Sequence, residues 1–233
     1  MRNFRLLKPW ILGTYGLSVG LAILGSTFQH PYLHYFTKPL MMPLLLLWYS
    51  QYSGAFRPPR LFFSIGFLCG WLGDIFLIDT SGRYFLWGLG SFLVGHFFYI
   101  IGFRKIVKQD TLSLRLKYLS LSTTLIFFAG VTVFLVPAFQ SSERKPLLLP
   151  VLFYCLVICV MAWYAWFSWR NQQGFLMWAF VGALLFVISD FCIALNFFVL
   201  PQGLPFPDLI ILSTYGLAQA FIAQGTTALQ PMN

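Results

Sequence analysis

The strongest constraint in this sequence is a succession of apolar segments, most of them close to bilayer length. They run over Pro9–Thr27, Phe36–Gln51, Leu61–Ile78, Tyr84–Ile106, Tyr118–Phe139, Leu147–Trp169, Phe175–Leu200 and Pro207–Thr226. A spanning helix needs about 20 mostly apolar residues, because the hydrocarbon holds no water to satisfy exposed backbone groups. Only 9% of the 233 residues are charged, against roughly 25% in a soluble domain. The sequence therefore predicts an all-α, polytopic membrane bundle of eight transmembrane helices. It reads as a single integral membrane domain over residues 1–233, with no polar run long enough for a soluble module. The second segment is short and contains Pro39 and Pro43. It is expected to kink there, or to begin nearer His34.

The net charge of +9 does not point to nucleic acid. The basic residues sit at segment edges, where interfacial anchoring and anionic lipid account for them. If the N-terminus is cytoplasmic, that side carries Arg2, Arg5, Lys8, Arg57, Arg60, Arg104, Lys105, Lys108, Arg115, Lys117 and Arg170. The opposite side carries Lys38, Arg83, Arg144 and Lys145. Eleven cations against four place both termini in the cytoplasm, as an even number of spans requires. The first run, behind its basic residues, is longer than a signal core of about 7–15 residues and reads as an uncleaved first span. Cys69, Cys155, Cys159 and Cys192 all lie in apolar segments and read as small buried hydrophobes. No metal or cofactor ligand set is expected, since His30 and His34 lie in the first loop and leave His96 without a spanning histidine partner.

Two acids interrupt the apolar runs. Asp74 ends the stretch Gly66-Phe67-Leu68-Cys69-Gly70-Trp71-Leu72-Gly73-Asp74, and Asp190 occupies a matching place in the seventh segment. Ionisable groups at such positions are costly and mark functional sites by default. The chain also repeats itself. Lys38-Pro39-Leu40-Met41-Met42-Pro43 opens segment two, and Lys145-Pro146-Leu147-Leu148-Leu149-Pro150 opens segment six. Gly66, Gly70, Gly73 and Asp74 have the spacing of Gly182, Phe186, Ser189 and Asp190. Spans 2–4 and 6–8 thus read as a parallel internal repeat, related by a pseudo-two-fold axis along the membrane normal.

Around the acids lies one stratum of polar residues. Positions 66, 70, 73 and 74 share a helix face, and Gly66 with Gly70 allows close approach of another helix. Segment four contributes Ser91, His96 and Tyr99; segment seven contributes Ser189 and Asn196; segment eight contributes Tyr215 and Gln219. Asp74 lies about five residues, or roughly 7.5 Å, from the outer end of its helix. Lys38 and Lys145 start helices on that same side, and a flexible stem lets each reach inward. Each half could therefore supply one lysine and one aspartate at similar depth. The bland reading is an Asp–Lys pair that only ties helices together, with His96 an ordinary hydrogen-bonded interior histidine. The density of polar groups in one stratum exceeds what helix packing requires.

These residues resemble the YhhN-type lysoplasmalogenases, eight-span integral membrane hydrolases. The matching stretches are Lys38-Pro39-Leu40 with Pro43, Gly73-Asp74, Gly90-Ser91-Phe92-Leu93 through His96 and Tyr99, Gly182-Ala183-Leu184-Leu185-Phe186 through Ser189-Asp190, and Thr214-Tyr215 with Gln219. The resemblance implies hydrolysis of the vinyl-ether bond of lysoplasmalogens to a fatty aldehyde and glycerophosphocholine or glycerophosphoethanolamine. It implies dependence on the two intramembrane aspartates, here Asp74 and Asp190. Expected partners are a lysophospholipid drawn from the bilayer and water, with no cofactor, in a bacterial inner (cytoplasmic) membrane.

The chemistry suits two carboxyl groups. A vinyl ether accepts a proton at its β-carbon and becomes an oxocarbenium ion; water adds, and the hemiacetal collapses. One carboxylic acid must keep its proton, as acids withdrawn from water tend to. One anion must stabilise the cation and orient water, as glycosidase carboxylates do across a comparable ion. Either aspartate could take either part. Lys38, Ser91, His96, Tyr99, Lys145, Ser189, Asn196, Tyr215 and Gln219 are the candidates for holding substrate or water. The competing class is a small proton-coupled transporter, which parallel repeats and intramembrane acids also suit. It would need polar groups leading into both halves of the bilayer, whereas these crowd the outer half.

Overall fold

A computed structural model describes residues 9–51, 55–79, 82–107, 109–141, 144–172, 174–227 and 229. Arg2, Arg5, Lys8 and Lys108, which enter the loop-charge argument, lie outside the described residues. Among the described residues all regular structure is helical. The long helices are α1 (Pro9–Thr27), α2 (Pro31–Ser50), α3 (Arg60–Phe76), α4 (Phe85–Ile106), α5 (Leu114–Leu135), α6 (Leu148–Gln172), α7 (Leu176–Ala194) and α8 (Pro207–Thr226). Six of them, α1 and α4 to α8, are long and apolar enough to cross a membrane, so the protein is a multi-pass integral membrane protein. The other two are α2, which carries Lys38 and three prolines, and α3, which has 17 residues.

The helix ends follow local chemistry. The second helix begins at Pro31, earlier than the apolar run suggests. Proline at a first helical position has a preset φ and lacks only an N–H that would be unpaired there anyway. Farther along, Pro43 has no N–H to offer the carbonyl of Pro39. The Trp71 indole of α3 donates to that carbonyl instead, at 2.9 Å, so the proline pair ties α2 to α3. The fifth apolar segment ends in a 3₁₀ turn, Val136–Phe139, and the seventh in a π-helical turn, Leu195–Val199. Lys145–Leu147 forms a 3₁₀ turn before α6, placing Lys145 ahead of the helix.

Short loops join α1 to α2, α3 to α4 and α7 to α8, and each pair packs as a hairpin. α6 packs against both α4 and α7. α5 lies outside, against α6, with Leu135 its one buried residue among those described. Met41, Tyr49, Phe63, Phe67, Tyr99, Phe103, Phe186 and Ile222 fill the core between the hairpins. A second apolar cluster, containing Leu135, Phe139, Val151, Ala194 and Phe198, closes the end where α5 meets α6 and α7 leaves the bundle.

The α7–α8 hairpin depends on a close backbone approach. A Cβ on Gly182 would stand 2.6 Å from the Ala218 carbonyl oxygen and 2.8 Å from the Ile222 nitrogen. Backbone atoms cannot swing aside as a side chain can. Gly182→Val is therefore expected to lower stability by ~1–3 kcal/mol, the usual cost of overpacking. Gly130→Ala, on α5 where a Cβ meets nothing within 4 Å, should be neutral or stabilise by up to about 1 kcal/mol. Thermal unfolding of both variants in detergent checks the contrast.

Candidate active site

The two acids end up on α3 and α7, each in its own hydrogen-bonded chain. Asp74 is buried, at 3% exposure. The Tyr215 hydroxyl of α8 donates to its Oδ2 at 2.9 Å. One turn farther along α8, Gln219 Oε1 accepts from the Tyr99 hydroxyl of α4 at 2.7 Å. Both groups lie against Gly70. A Cβ there would stand 3.1 Å from Gln219 Nε2 and 3.2 Å from the Tyr215 hydroxyl, so the glycine face of α3 is where α8 presents its polar strip. α8 is in turn fixed to α1 by the Tyr15 hydroxyl, which donates to the Gly216 carbonyl at 2.6 Å.

Lys38 is also nine-tenths buried. Its ammonium donates to the Leu77 carbonyl at 3.1 Å, at the C-terminal end of α3. Orphan carbonyls and the negative end of the helix dipole favour a cation there. From that position Lys38 is within electrostatic reach of Asp74, with no direct ion pair between them.

Asp190 is held differently. The Tyr154 hydroxyl of α6 donates to Asp190 Oδ2. His96 Nε2 of α4 lies 2.9 Å from the same hydroxyl and 3.8 Å from Asp190 Oδ2. Tyrosine has one proton, and it is directed at Asp190 Oδ2. The contact with His96 is therefore assigned as Nε2–H donating to the tyrosine oxygen. In a neutral imidazole that leaves Nδ1 an acceptor, and Nδ1 is buried with no hydrogen-bond partner among the described residues. Phe186 lies between the two chains. It packs edge-on to His96 at 4.7 Å and to Tyr215 at 5.4 Å between ring centroids, and Phe92 packs on Tyr215 at 5.8 Å.

Two cavities of opposite character adjoin these groups. The first is the more polar, with charged groups set among apolar ones; it is about 710 Å³ in volume and lies where the α1–α2, α3–α4 and α7–α8 loops come together. Ser26, His34, Lys38, Asp79, Asn196 and Asp208 are among its lining residues. The second is apolar and narrow, about 60 Å³ in volume, and lies between α4, α5, α6 and α7, walled by residues such as Leu89, Phe92, Val131, Leu135, Ile158 and Phe191. Asp190 and Tyr154 are its polar edge. Leu77, Phe85 and Ile193 line both cavities and so form the partition between them.

The structure thus joins Asp74, Tyr215, Gln219, Tyr99 and Lys38 around one acid, and Asp190 with His96 around the other. It leaves the remaining candidates elsewhere. Ser91 bonds back to the Trp87 carbonyl of its own helix at 2.9 Å. Ser189 donates to the Ile211 carbonyl at 3.2 Å, a tie between α7 and α8. Asn196 Oδ1 accepts from the Leu204 backbone at 2.9 Å, bracing the loop before α8, although the residue also lines the polar cavity. Lys145 is exposed in its 3₁₀ turn. In its place Asp190 has tyrosine and histidine. Tyr154 escaped sequence reasoning because it stands in a uniformly apolar run. The available signal was its place on the buried face of α6 with Val151, Ile158, Met161 and Ala165: a hydroxyl on a core stripe needs a partner. Asp208 and Ser26, linked to each other by a hydrogen bond, escaped because both sit at helix ends.

Comparison with known proteins gives a consistent setting. A profile described as the YhhN family matches residues 33–226. The chain is 32% identical over 172 residues to Lysoplasmalogenase TMEM86A of Homo sapiens, covering 68% of this chain and 62% of that protein. It is 31% identical over 163 residues to Lysoplasmalogenase TMEM86A of Bos taurus, with the same coverage. It is 29% identical over 185 residues to Lysoplasmalogenase TMEM86B of Mus musculus, covering 79% of this chain and 70% of that protein. The chain thus spans less than two thirds of the TMEM86A relatives. No solved structure matches it.

The hydrogen-bonded chains make a direct prediction about stability. Tyr154→Phe and Tyr215→Phe each keep the ring but strip a carboxyl group of its donor. Each should cost ~1–3 kcal/mol, the penalty for an unsatisfied buried polar group. Ser91→Ala, whose hydroxyl serves only its own helix, should stay within about 0.5 kcal/mol of wild type. Thermal midpoints in one detergent rank the three.

Proposed function

Because the chain belongs to the YhhN family, we propose that it is a membrane hydrolase that cleaves the vinyl-ether bond of lysoplasmalogens. The products are a fatty aldehyde and a glycerophospho head-group. The names of its relatives support this. The observation that carries it is the pair of cavities meeting at Leu77, Phe85 and Ile193. A lysolipid has one hydrocarbon chain and one charged head-group, and the vinyl ether lies at their junction. With the head-group in the polar cavity and the first carbons of the chain in the apolar one, which at about 60 Å³ must widen to take the rest, that junction falls at the partition, beside Asp190.

In this reading Asp190 is the general acid. Tyr154 occupies its Oδ2, which leaves Oδ1 as the oxygen that carries the proton to the substrate. The acid protonates the β-carbon of the vinyl ether, and the C–C π electrons form the new C–H bond. The adjacent carbon becomes an oxocarbenium ion. Asp74, close to the Lys38 ammonium, is the carboxylate that stabilises this cation and receives a proton from the attacking water. The hemiacetal then loses the glyceryl oxygen as an alcohol and leaves the aldehyde. His96 is a positioning residue that acts through Tyr154. Tyr99 and Gln219 hold Tyr215 in line with Asp74, and Phe92 and Phe186 keep bulk water from the cation.

The architecture proposed with it is one integral domain of eight spans, α2 and α3 included, with spans 2–4 and 6–8 a parallel repeat. Equivalent placement of Asp74 and Asp190 in the α3–α4 and α7–α8 hairpins supports the repeat. Both termini lie in the cytoplasm of a bacterial inner membrane, as the loop charges favour. The transporter reading is weaker, because the polar cavity lies at one end of the bundle. The cavity between α2 and α3 toward the other end is lined mainly by apolar residues such as Met42, Leu46, Phe67 and Trp71.

Aldehyde release from a lysoplasmenyl lipid by the purified protein, without any gradient, tests the proposal. Asp74→Asn and Asp190→Asn should each lower kcat by about 100-fold or more, the usual contribution of acid–base groups, while remaining folded. His96→Ala should cost less than either. Full activity in a folded Asp variant would remove that residue from the mechanism.

A further inference from the structure

The mechanism uses the polar cavity only as a place for a head-group, yet its charges are arranged more specifically than that requires. Lys38 is nine-tenths buried, and its Nζ uses one donor on the Leu77 carbonyl. An ammonium has three donors, so two remain at the cavity wall. Asp208, in the first turn of α8, lines the same cavity. The Ser26 hydroxyl of α1 donates to its Oδ2, which fixes the carboxyl group and leaves Oδ1 for another donor. Lys38 and Asp208 are within electrostatic reach of each other but form no ion pair. Both line the cavity of about 710 Å³, so a ligand held in it can meet each of them.

We propose that this cavity is a zwitterion-reading site for a phosphate ester bearing a primary ammonium, with Lys38 taking the phosphate and Asp208 the ammonium. It would therefore prefer an ethanolamine head-group to choline. The proposal rests on the lysolipid reading above and specifies its head-group. A primary ammonium offers N–H donors to Asp208 Oδ1, and charge-assisted hydrogen bonds are the strong class. A trimethylammonium offers none, and its methyl groups hold the charge away from the carboxylate. Choline is better served by a cage of aromatic faces. Here the lining aromatics Tyr35, Phe85 and Phe197 share the wall with Gln29, Ser26 and Asn196.

The test uses the full-length protein in detergent and ester-linked lysophospholipids, which present the head-group without a vinyl ether. Binding to the wild type is measured for lysophosphatidylethanolamine, its N-methyl and N,N-dimethyl forms, lysophosphatidylcholine and lysophosphatidylglycerol. Affinity should fall stepwise with methylation, to a total of about tenfold, on the scale of losing a buried charged contact. Asp208→Asn can still accept from Ser26 through its amide oxygen. It should weaken lysophosphatidylethanolamine about tenfold and leave lysophosphatidylglycerol within about twofold. Ser26→Ala, which keeps the charge, should retain the ethanolamine preference. No stepwise decline in wild type, or equal weakening of both lipids by Asp208→Asn, would overturn the proposal. Free phosphoethanolamine should bind far more weakly than the lipid; equal binding would assign the site to a soluble ligand instead. These arms do not depend on hydrolysis. Preference without aldehyde release would leave the site standing and remove the hydrolase reading, and aldehyde release without preference would do the reverse.

Discussion

A carboxyl group taken out of water must find replacement partners, and this bundle is arranged to supply them to two. Tyr215 answers Asp74 and Tyr154 answers Asp190. Each tyrosine stands on a different helix from its acid, so each hydrogen bond also fixes a helix–helix register. Gly70 leaves space where Tyr215 and Gln219 approach α3, and Gly182 lets α8 lie against α7. The small residues are thus the counterpart of the polar ones: without the close approach the donors would not reach. Lys38 serves the same end by satisfying the end of the helix that carries Asp74.

The proposed function rests on what lies on either side of these chains. An apolar cavity stops at Asp190, a polar cavity stops at Lys38 and Asp208, and three side chains separate the two. The proposed ligand, with one hydrocarbon chain and one charged end, matches that division in polarity, and its chain must widen the narrow apolar side. The two acids also have different settings. Asp190 faces the apolar cavity with tyrosine and histidine behind it, whereas Asp74 is enclosed and lies under a lysine. Such asymmetry is how two like carboxyl groups come to carry different protonation tasks.

Much of this was legible in the sequence, for identifiable reasons. Segment length and hydropathy report on the bilayer, so the predicted bounds of α1 and α8 agree with the helices formed. Helical periodicity reports on faces, so the glycine face around Asp74 and the strip containing Tyr215 and Gln219 could be read from single helices. What a single helix does not encode is which neighbour it meets. Lysine was expected beside both acids; Lys38 instead reaches the end of α3, and Lys145 lies exposed in a turn ahead of its helix. Tyr154 carried no signal beyond its place on the core stripe of α6, because a tyrosine among Leu, Val and Cys looks like any interfacial aromatic until its hydroxyl is placed. Asp208 stands in the first turn of α8, where an acid is favourable for the helix alone, and only the cavity gives it a second use.

The central claim is that a buried acid delivers a proton to carbon and water then adds to the resulting cation. Hydrolysis of a lysoplasmenyl lipid in D₂¹⁸O, with the aldehyde trapped by immediate reduction and both products weighed by mass spectrometry, tests it directly. The account predicts deuterium on the carbon next to the former carbonyl, ¹⁸O on the trapped alcohol, and none in the glycerophospho product. Appearance of ¹⁸O on the glycerol, or no aldehyde at all, would contradict it.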